Sequence, residues 1–274
     1  MKILVPTDFS AQAQVAIDVA LKLAKRINGE IHFFHCAENL PPDWSDKETA
    51  LRKVYEQLQG KIKTVELLAE KEGVLHQSKI DTGNFLTAMI DYEQAHDFDM
   101  IVMGSHGASG KQEYFIGSNT QKVIRKLHTN MLIVKEPIEK IDFEKVIFAT
   151  DLGQADREAF AIFLSYLKVF KTTEVHILTI DTPGFITQPR VLVEELQKDF
   201  KKMADDYDCK THFIRSFTIE EGIRNYSEDL GVSLIGISNL QRHPIKRIFS
   251  GSNVEMLANH TSIPVLSIDG KILP

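Results

Sequence analysis

Short apolar runs alternate with longer stretches of helical periodicity along the whole chain. The runs have the length of a buried strand, about four to eight residues, and the stretches between them repeat apolar residues every three or four positions. Because parallel strands need a crossover between them, this alternation predicts an α/β fold built on a parallel sheet. In the first half the predicted strands cover 2–6, 30–36, 75–81, 98–103 and 131–135, and the predicted helices cover 10–27, 46–72, 84–96 and 118–127.

The second half of the chain repeats the first. Ile3-Leu-Val-Pro-Thr-Asp8 returns as Val146-Ile-Phe-Ala-Thr-Asp151, and the stretch 97–104 matches 229–236. Each half then closes on a short apolar strand. The second set of predicted strands covers 145–149, 174–180, 210–216, 232–236 and 264–268, and its helices cover 154–169, 189–206, 218–228 and 252–260.

Length and composition agree with two ordinary domains, 1–138 and 139–274. The chain has 274 residues and a net charge of −6, which argues against a nucleic-acid partner. No apolar run approaches the roughly 18 residues of a membrane span, and no export signal precedes the first strand, so we expect a cytoplasmic protein without a membrane partner. Cys36 and Cys209 do not correspond between the halves, which argues against a disulfide.

One loop carries the clearest sign of chemistry. Gly104-Ser-His-Gly107 is followed, after nine residues, by Gly117-Ser118, between a buried-strand pattern and a helix. Gly104 ends the strand without a Cβ, Gly107 permits a positive φ, and Gly117 lets a ligand approach the next helix. Backbone N–H groups and a helix N-terminus would then converge on an anion, although glycine also serves plain turns. The spacing predicts a phosphate-binding loop.

Together with the strand that ends in Pro6-Thr7-Asp8, this glycine spacing resembles the universal stress protein family in its tandem-domain form, over the whole chain. The resemblance implies two flavodoxin-like or adenine-nucleotide-hydrolase-like domains. Each would be a five-stranded parallel sheet of order 3-2-1-4-5 with helices on both faces, and the domains would pair through their last strands. The spaced glycines mark the family members that bind ATP. The implied ligand is therefore ATP with Mg²⁺, with AMP or ADP as alternatives, and a homodimer is a further expectation.

The resemblance also implies a set of ligand-binding positions. The phosphates would lie at Gly104, His106, Gly107, Gly117, Ser118 and Asn119. The ribose and Mg²⁺ would lie beside Pro6, Thr7 and Asp8. The adenine would meet backbone groups near Cys36, at the end of the second strand.

The second half departs from the glycine pattern. With Gly236 matched to Gly104, its loop reads Gly236-Ile-Ser-Asn239 and then eleven residues before Gly251-Ser252, so one glycine is lost and the loop is two residues longer. Asn239 adds a side chain where a phosphate would approach, and Pro244 removes an N–H donor. We expect the first half to bind nucleotide and the second half to be degenerate.

Other reactive side chains have structural explanations. Asp8 lies between a strand and a helix, so it serves equally well as a helix cap, and Asp151 repeats it. His32, His35 and Cys36 share one strand but alternate in direction, which argues against a metal site. No Ser-His-Asp set is evident, and we predict no catalytic residue.

Three classes of function remain. The first, which we favour, is a regulatory stress-response module that holds adenine nucleotide without fast turnover. The second is a slow Mg-dependent ATPase or nucleotidyl-transfer enzyme on the same site, because an N–H cradle serves ground and transition states alike. The third is a nucleotide-free interaction protein whose glycine loops are only turns. The intact first motif favours the first two classes, and the lack of a recognisable base or arginine finger favours binding.

Overall fold

The structure, a computed structural model, describes residues 1–37, 47–105, 117–183, 189–239 and 253–269. The first half contains β1 (Lys2–Pro6), α1 (Ala11–Ile27), β2 (Glu30–Ala37), α2 (Lys47–Glu72), β3 (Leu75–Thr82), α3 (Phe85–His96), β4 (Met100–Gly104), α4 (Ser118–Lys126) and β5 (Met131–Val134). The second half contains β6 (Lys145–Ala149), α5 (Gln154–Phe170), β7 (Glu174–Asp181), α6 (Arg190–Met203), β8 (Asp208–Arg215), α7 (Ile219–Leu230), β9 (Leu234–Ser238), α8 (Asn253–His260) and β10 (Val265–Ile268).

The described strands form one sheet of order β3-β2-β1-β4-β5-β10-β9-β6-β7-β8. Neighbours within each half are parallel, and the halves meet where β5 and β10 pair antiparallel. Each half therefore has the order 3-2-1-4-5, and the predicted α/β fold class is confirmed. The two five-stranded arrays are continuous through the β5–β10 pair.

Helices cover both faces of the sheet, which explains the unbroken apolar runs of the strands. One core cluster packs α1, α2, α5 and α6 against the sheet, and the other packs α3, α4, α7 and α8. In β1, Ile3, Leu4 and Val5 are all fully buried, although alternate side chains point to opposite faces. The Ser10 side chain caps the start of α1 by accepting from the Ala13 N–H.

The register of the sheet corrects the match between the two halves. β1 pairs Ile3 with Met100, whereas β6 pairs the corresponding Val146 with Leu234. Leu234 therefore corresponds to Met100, and Ser238 corresponds to Gly104. The sequence match of Gly236 with Gly104 was wrong by two residues.

Gly236 is a packing glycine. A Cβ added there would lie 2.4 Å from a ring carbon of Phe163 on α5. The first half has Val102 at the position of Gly236 and Ala20 at the position of Phe163, and both are fully buried. The two halves thus fill the same space with opposite combinations of large and small residues. A sequence pattern cannot separate a glycine kept for this reason from a glycine kept for a ligand.

Reciprocal hydrogen bonds link the two halves beside the strand pair. The Ser105 hydroxyl, just after β4, donates to the Ala258 carbonyl of α8 at 3.5 Å. The Asn239 side-chain amide, just after β9, donates to the Ile124 carbonyl of α4 at 3.0 Å. Each loop start is therefore held by the last helix of the other half.

The exchange of volumes predicts strong coupling between positions 236 and 163. Gly236→Val should destabilise the protein by about 1–3 kcal/mol, because the added side chain overlaps the Phe163 ring. Combining it with Phe163→Ala recreates the pair of the first half, so the double variant should be more stable than the sum of the single effects predicts. Urea unfolding of the four proteins measures this coupling, and additive effects would contradict it.

Candidate functional site

A cleft that is partly open to solvent lies at the carboxyl ends of β1 and β4. β1 pairs with β2 on one side and with β4 on the other. The connection that leaves β1 runs to β2 on one side, whereas the connection that leaves β4 runs to β5 on the other side. In doubly wound sheets this reversal opens a crevice at the strand ends. The fold alone thus places a cleft at the end of the Pro-Thr-Asp strand.

The turn after β1 forms one wall of this cleft. The Phe9 N–H donates to the Thr7 hydroxyl at 3.0 Å, and the Ser10 N–H donates to Asp8 Oδ1 at 2.9 Å. These bonds hold Phe9 at a φ of 63°, a conformation that costs free energy for a bulky residue. Asp8 thus closes the turn before α1, whereas the cap of the helix itself is Ser10, and the Asp8 side chain stays exposed.

Backbone donors face the cleft from two directions. The N-cap of α4 is Gly117, which provides no side-chain cap, so the N–H groups of Ser118, Asn119 and Thr120 have no intrahelical partner. Within the described part of the chain, the Asp8 N–H donates to no protein acceptor. An anion in this cleft would find several free backbone donors and the positive end of a helix dipole.

Tight packing holds the two walls together. A Cβ added to Gly104 would lie 2.3 Å from the carbonyl oxygen of Gln12, so only glycine lets the end of β4 approach the start of α1 this closely. The Thr120 hydroxyl donates to the Gly104 carbonyl at 3.1 Å and fixes α4 on the same strand end.

The cleft is also lined by an imidazole, a thiol and apolar side chains. His35 Nδ1 donates to the Thr7 carbonyl at 2.8 Å. Because a carbonyl oxygen can only accept, the proton of the ring lies on Nδ1 in this bond. The His35 ring packs on Phe9 with centroids 4.7 Å apart. Cys36 Sγ lies 3.5 Å from the Gly83 carbonyl. Phe85 and Met103 supply an apolar surface here.

The cleft brings together most of the residues that the sequence singled out. Predicted residues that line it are Pro6, Thr7, Asp8, Cys36, Gly104, Gly117, Ser118 and Asn119. His106 and Gly107 lie outside the described residues. Residues that line the cleft but were not predicted as site residues are Ser10, Gln12, Ala13, His35, Phe85, Met103 and Thr120. The sequence signal that could have identified them is their position at the predicted strand ends and helix starts. That the lining binds a ligand stays a prediction.

His32 belongs to a separate cluster under α3. Its Nδ1 lies 2.9 Å from the Tyr92 hydroxyl and its Nε2 lies 3.2 Å from Glu30 Oε1. Burial lowers the pKa of His32 below its usual value. Among the described residues, no group of three or more His, Cys, Asp or Glu has the arrangement to hold a metal ion.

The second half repeats the turn but changes its surroundings. The Gly153 N–H donates to Asp151 Oδ1 at 2.8 Å, and Leu152 has a φ of 66°, as Phe9 does in the first half. At the position of Ala13, however, the second half has Asp156, whose Oδ2 accepts from the Asp151 N–H at 2.9 Å. Hydrogen bonds from the Thr150 and Ser238 hydroxyls reach the same carboxylate.

The corrected register also changes the comparison of the two loops. From Ser238 to Gly251 the sequence count equals that from Gly104 to Gly117, so the expectation of a loop two residues longer was wrong. Both leading glycines are replaced, by Ser238 and Gln241. Pro244 and Gly251-Ser252 lie outside the described residues.

Asp156 titrates far from the usual range of a carboxyl group. Only 5% of the residue is exposed. Burial, and next the neighbouring charge of Asp151, raise its pKa to about 6. The group is therefore mainly ionised at pH 7 but protonates under mild acid.

These features define a doubly wound α/β protein whose first half has a cleft at the ends of its central strands. The sequence model of the Universal stress protein family matches residues 1–135. The first half of the chain therefore belongs to the universal stress protein family, and the resemblance noted in the sequence is confirmed.

Individual relatives extend this result over more of the chain. A universal stress protein of Methanocaldococcus jannaschii is 28% identical over 140 residues, which are 50% of this chain and 82% of the relative. A universal stress protein of Synechocystis is 26% identical over 209 residues, which are 73% of this chain and 70% of the relative. The solved structure of a universal stress protein from Archaeoglobus fulgidus matches with a TM-score of 0.79 at 18% identity and covers 98% of each chain, so the whole fold is shared.

The helices that the structure describes were also compared with the requirements of a membrane span. None of them combines enough length with enough apolar character to cross a bilayer.

The raised pKa of Asp156 predicts a pH-dependent contribution to stability. The folded state favours the protonated carboxyl, so its benefit is complete below the unfolded pKa, near 3.8, and is lost as the pH rises through about 6. The stability of the wild type relative to Asp156→Asn should therefore fall by on the order of 2 kcal/mol between pH 4 and pH 7. Urea unfolding at several pH values measures this difference, and a constant value would contradict the raised pKa.

Proposed function

We propose that the chain is a universal stress protein that binds one ATP with Mg²⁺ in the cleft of its first half and acts as a regulatory stress-response module. The observation that carries the proposal is that the start of α4, which no side chain caps, lines the same cleft as Asp8, whose N–H has no acceptor among the described residues. Backbone donors at a helix N-terminus bind phosphate without needing a cationic side chain.

The charges around the cleft support a metal-bound ligand. Among the described residues that line it, Asp8 is the only one with a formal charge. A bare triphosphate beside a carboxylate would be repelled, whereas Mg²⁺ bridges carboxylate and phosphate oxygens. Asp8 has the position and exposure to hold Mg²⁺ directly or through water, while its Oδ1 keeps the bond to Ser10.

The apolar end of the cleft supports a nucleobase rather than phosphate alone. Phe85 and Met103 provide a surface on which an aromatic base can pack. Cys36 also lines the cleft, at the end of β2 where the resemblance implies adenine. Triphosphate, metal and base thus each have a matching part of the cleft.

Several finer expectations remain predictions within this proposal. They are the division at residues 138 and 139, action of the halves as paired domains, a cytoplasmic location and assembly into a homodimer.

Calorimetric titration of the nucleotide-stripped chain with Mg-ATP and with AMP tests the proposal, followed by chromatography of the recovered nucleotide. We expect about one ATP per chain, recovered intact. Steady conversion to ADP or AMP would support the slow enzyme instead. No binding would contradict the proposal and favour an interaction protein without nucleotide.

Gly117→Val should abolish nucleotide binding while leaving the fold intact. The branched side chain would occupy the space beside the free N–H groups of α4. Gly251→Val makes the corresponding change in the second half and should leave ATP affinity unchanged. Titration calorimetry with circular dichroism of all three proteins measures both effects, and wild-type affinity in Gly117→Val would refute the phosphate cradle.

Asp8→Asn should weaken Mg-ATP binding by about tenfold, because an amide keeps the bond to the Ser10 N–H but lacks the charge that holds Mg²⁺. Without metal, the same variant should bind ATP at least as well as the wild type. Asp151→Asn is the matched control and should change neither affinity. Equal effects of Asp8→Asn and Asp151→Asn on Mg-ATP affinity would mean that both aspartates only stabilise their turns.

A further inference from the structure

The two halves give the same backbone donor two different environments. In the first half Asp8 lines the cleft and, within the described residues, no protein group accepts from its N–H. In the second half the equivalent Asp151 N–H donates to Asp156 Oδ2 at 2.9 Å. The neighbouring turns share the left-handed residue, Phe9 in one and Leu152 in the other, and differ at the helix cap, where Ser10 is replaced by Gly153.

The Asp156 carboxylate collects donors of the kind that hold an anion. It accepts from one backbone N–H and from the hydroxyls of Thr150 and Ser238, which lie at the ends of the two central strands of its half. Asp156 and Ser238 correspond to Ala13 and Gly104 in the first half. These two residues have a small side chain or none, and they form part of the cleft wall. The carboxylate therefore fills a volume that the first half leaves open.

We propose that Asp156 is a built-in anion that occupies, in the second half, the position offered to the ligand's anionic group in the first half. It determines that the chain has one nucleotide site and not two. This inference depends on the proposed function in one respect, which is the identity of the ligand that the second half excludes.

Two physical effects make this exclusion strong. The carboxylate already satisfies donors that a ligand would need, so a ligand would have to replace bonds rather than form new ones. It also places a negative charge, nearly removed from water, where a phosphate would approach, and repulsion is weakly screened at such a site. In the second half, the Asp156 carboxylate accepts the hydrogen bond from the turn that a ligand would otherwise accept.

Transfer of the carboxylate into the first half tests the proposal directly. Ala13→Asp should bind to the free Asp8 N–H as Asp156 binds to Asp151, so the chain should fold with at least the thermal stability of Ala13→Asn. Its affinity for Mg-ATP should be at least tenfold lower than that of Ala13→Asn, which has nearly the same volume without the charge. Equal affinities in the two variants would overturn the proposal.

Removal of the carboxylate provides a test that needs no nucleotide. Asp156→Ala leaves three donors around a small space, so formate from solution should take the place of the carboxylate. Sodium formate, compared with sodium chloride at equal ionic strength, should raise the Tm of Asp156→Ala at least twice as much as it raises that of the wild type or Asp156→Asn. Equal shifts in the three proteins would overturn the proposal.

The two experiments separate this inference from the proposed function. If the wild type binds no ATP, the proposed function fails, and the formate experiment alone decides whether Asp156 occupies an anion position. If the wild type binds ATP but Ala13→Asp binds it as well as Ala13→Asn does, the proposed function stands and the inference fails.

Discussion

The antiparallel pairing of β5 with β10 is the contact on which the rest of the structure depends. It joins Ile133 to Val265 and Leu132 to Leu266, and all of these side chains are at most 2% exposed. Each half alone would present an apolar strand edge to solvent, which is a strong site for association. Pairing inside the chain removes both edges and brings α4 against α8. There Arg125 forms a bidentate ion pair with the buried Glu255, at 2.9 and 2.6 Å.

This arrangement lets one half change without loss of the whole. The sheet and the helix contacts maintain the framework, so the strand ends of each half are free to differ. A few positions account for the contrast, chiefly Ala13 against Asp156 and Gly104 against Ser238. In the first half these positions leave open space and an Asp8 N–H without an acceptor in the described part of the chain, and in the second half they complete an internal hydrogen-bond network.

Much of the fold follows from local patterns in the sequence. The predicted elements agree with the structure to within about three residues, because strands such as Ile3-Leu4-Val5 are buried on both faces and the helices carry clear amphipathic periodicity. The Pro-Thr-Asp strand and the spaced glycines were enough to indicate the family and the end of the sheet that carries the cleft. Both signals lie within short segments of the chain, and both reflect conformations that the backbone must adopt at the strand ends.

Contacts between distant segments were the part that the sequence did not reveal. Gly236 follows a strand pattern as Gly104 does, but its reason is the ring of Phe163, which lies far away in the sequence. Asp156 reads as an ordinary acidic residue in the first turn of a helix, and its bond to the Asp151 N–H depends on the turn geometry. Phe85 begins α3 and Met103 lies in β4, and both line the cleft only because α3 packs on the face of the sheet that carries Met103.

The strand order leaves β3 and β8 as the outer edges of the sheet, and this limits how the molecule associates at high concentration. β3 alternates exposed and half-buried residues and has Lys79 at its centre, and β8 has Lys210 near its start. Charged lysines on an edge strand oppose the addition of a further strand from another molecule. Stacking of chains edge to edge into fibrils is therefore disfavoured at both ends of the sheet.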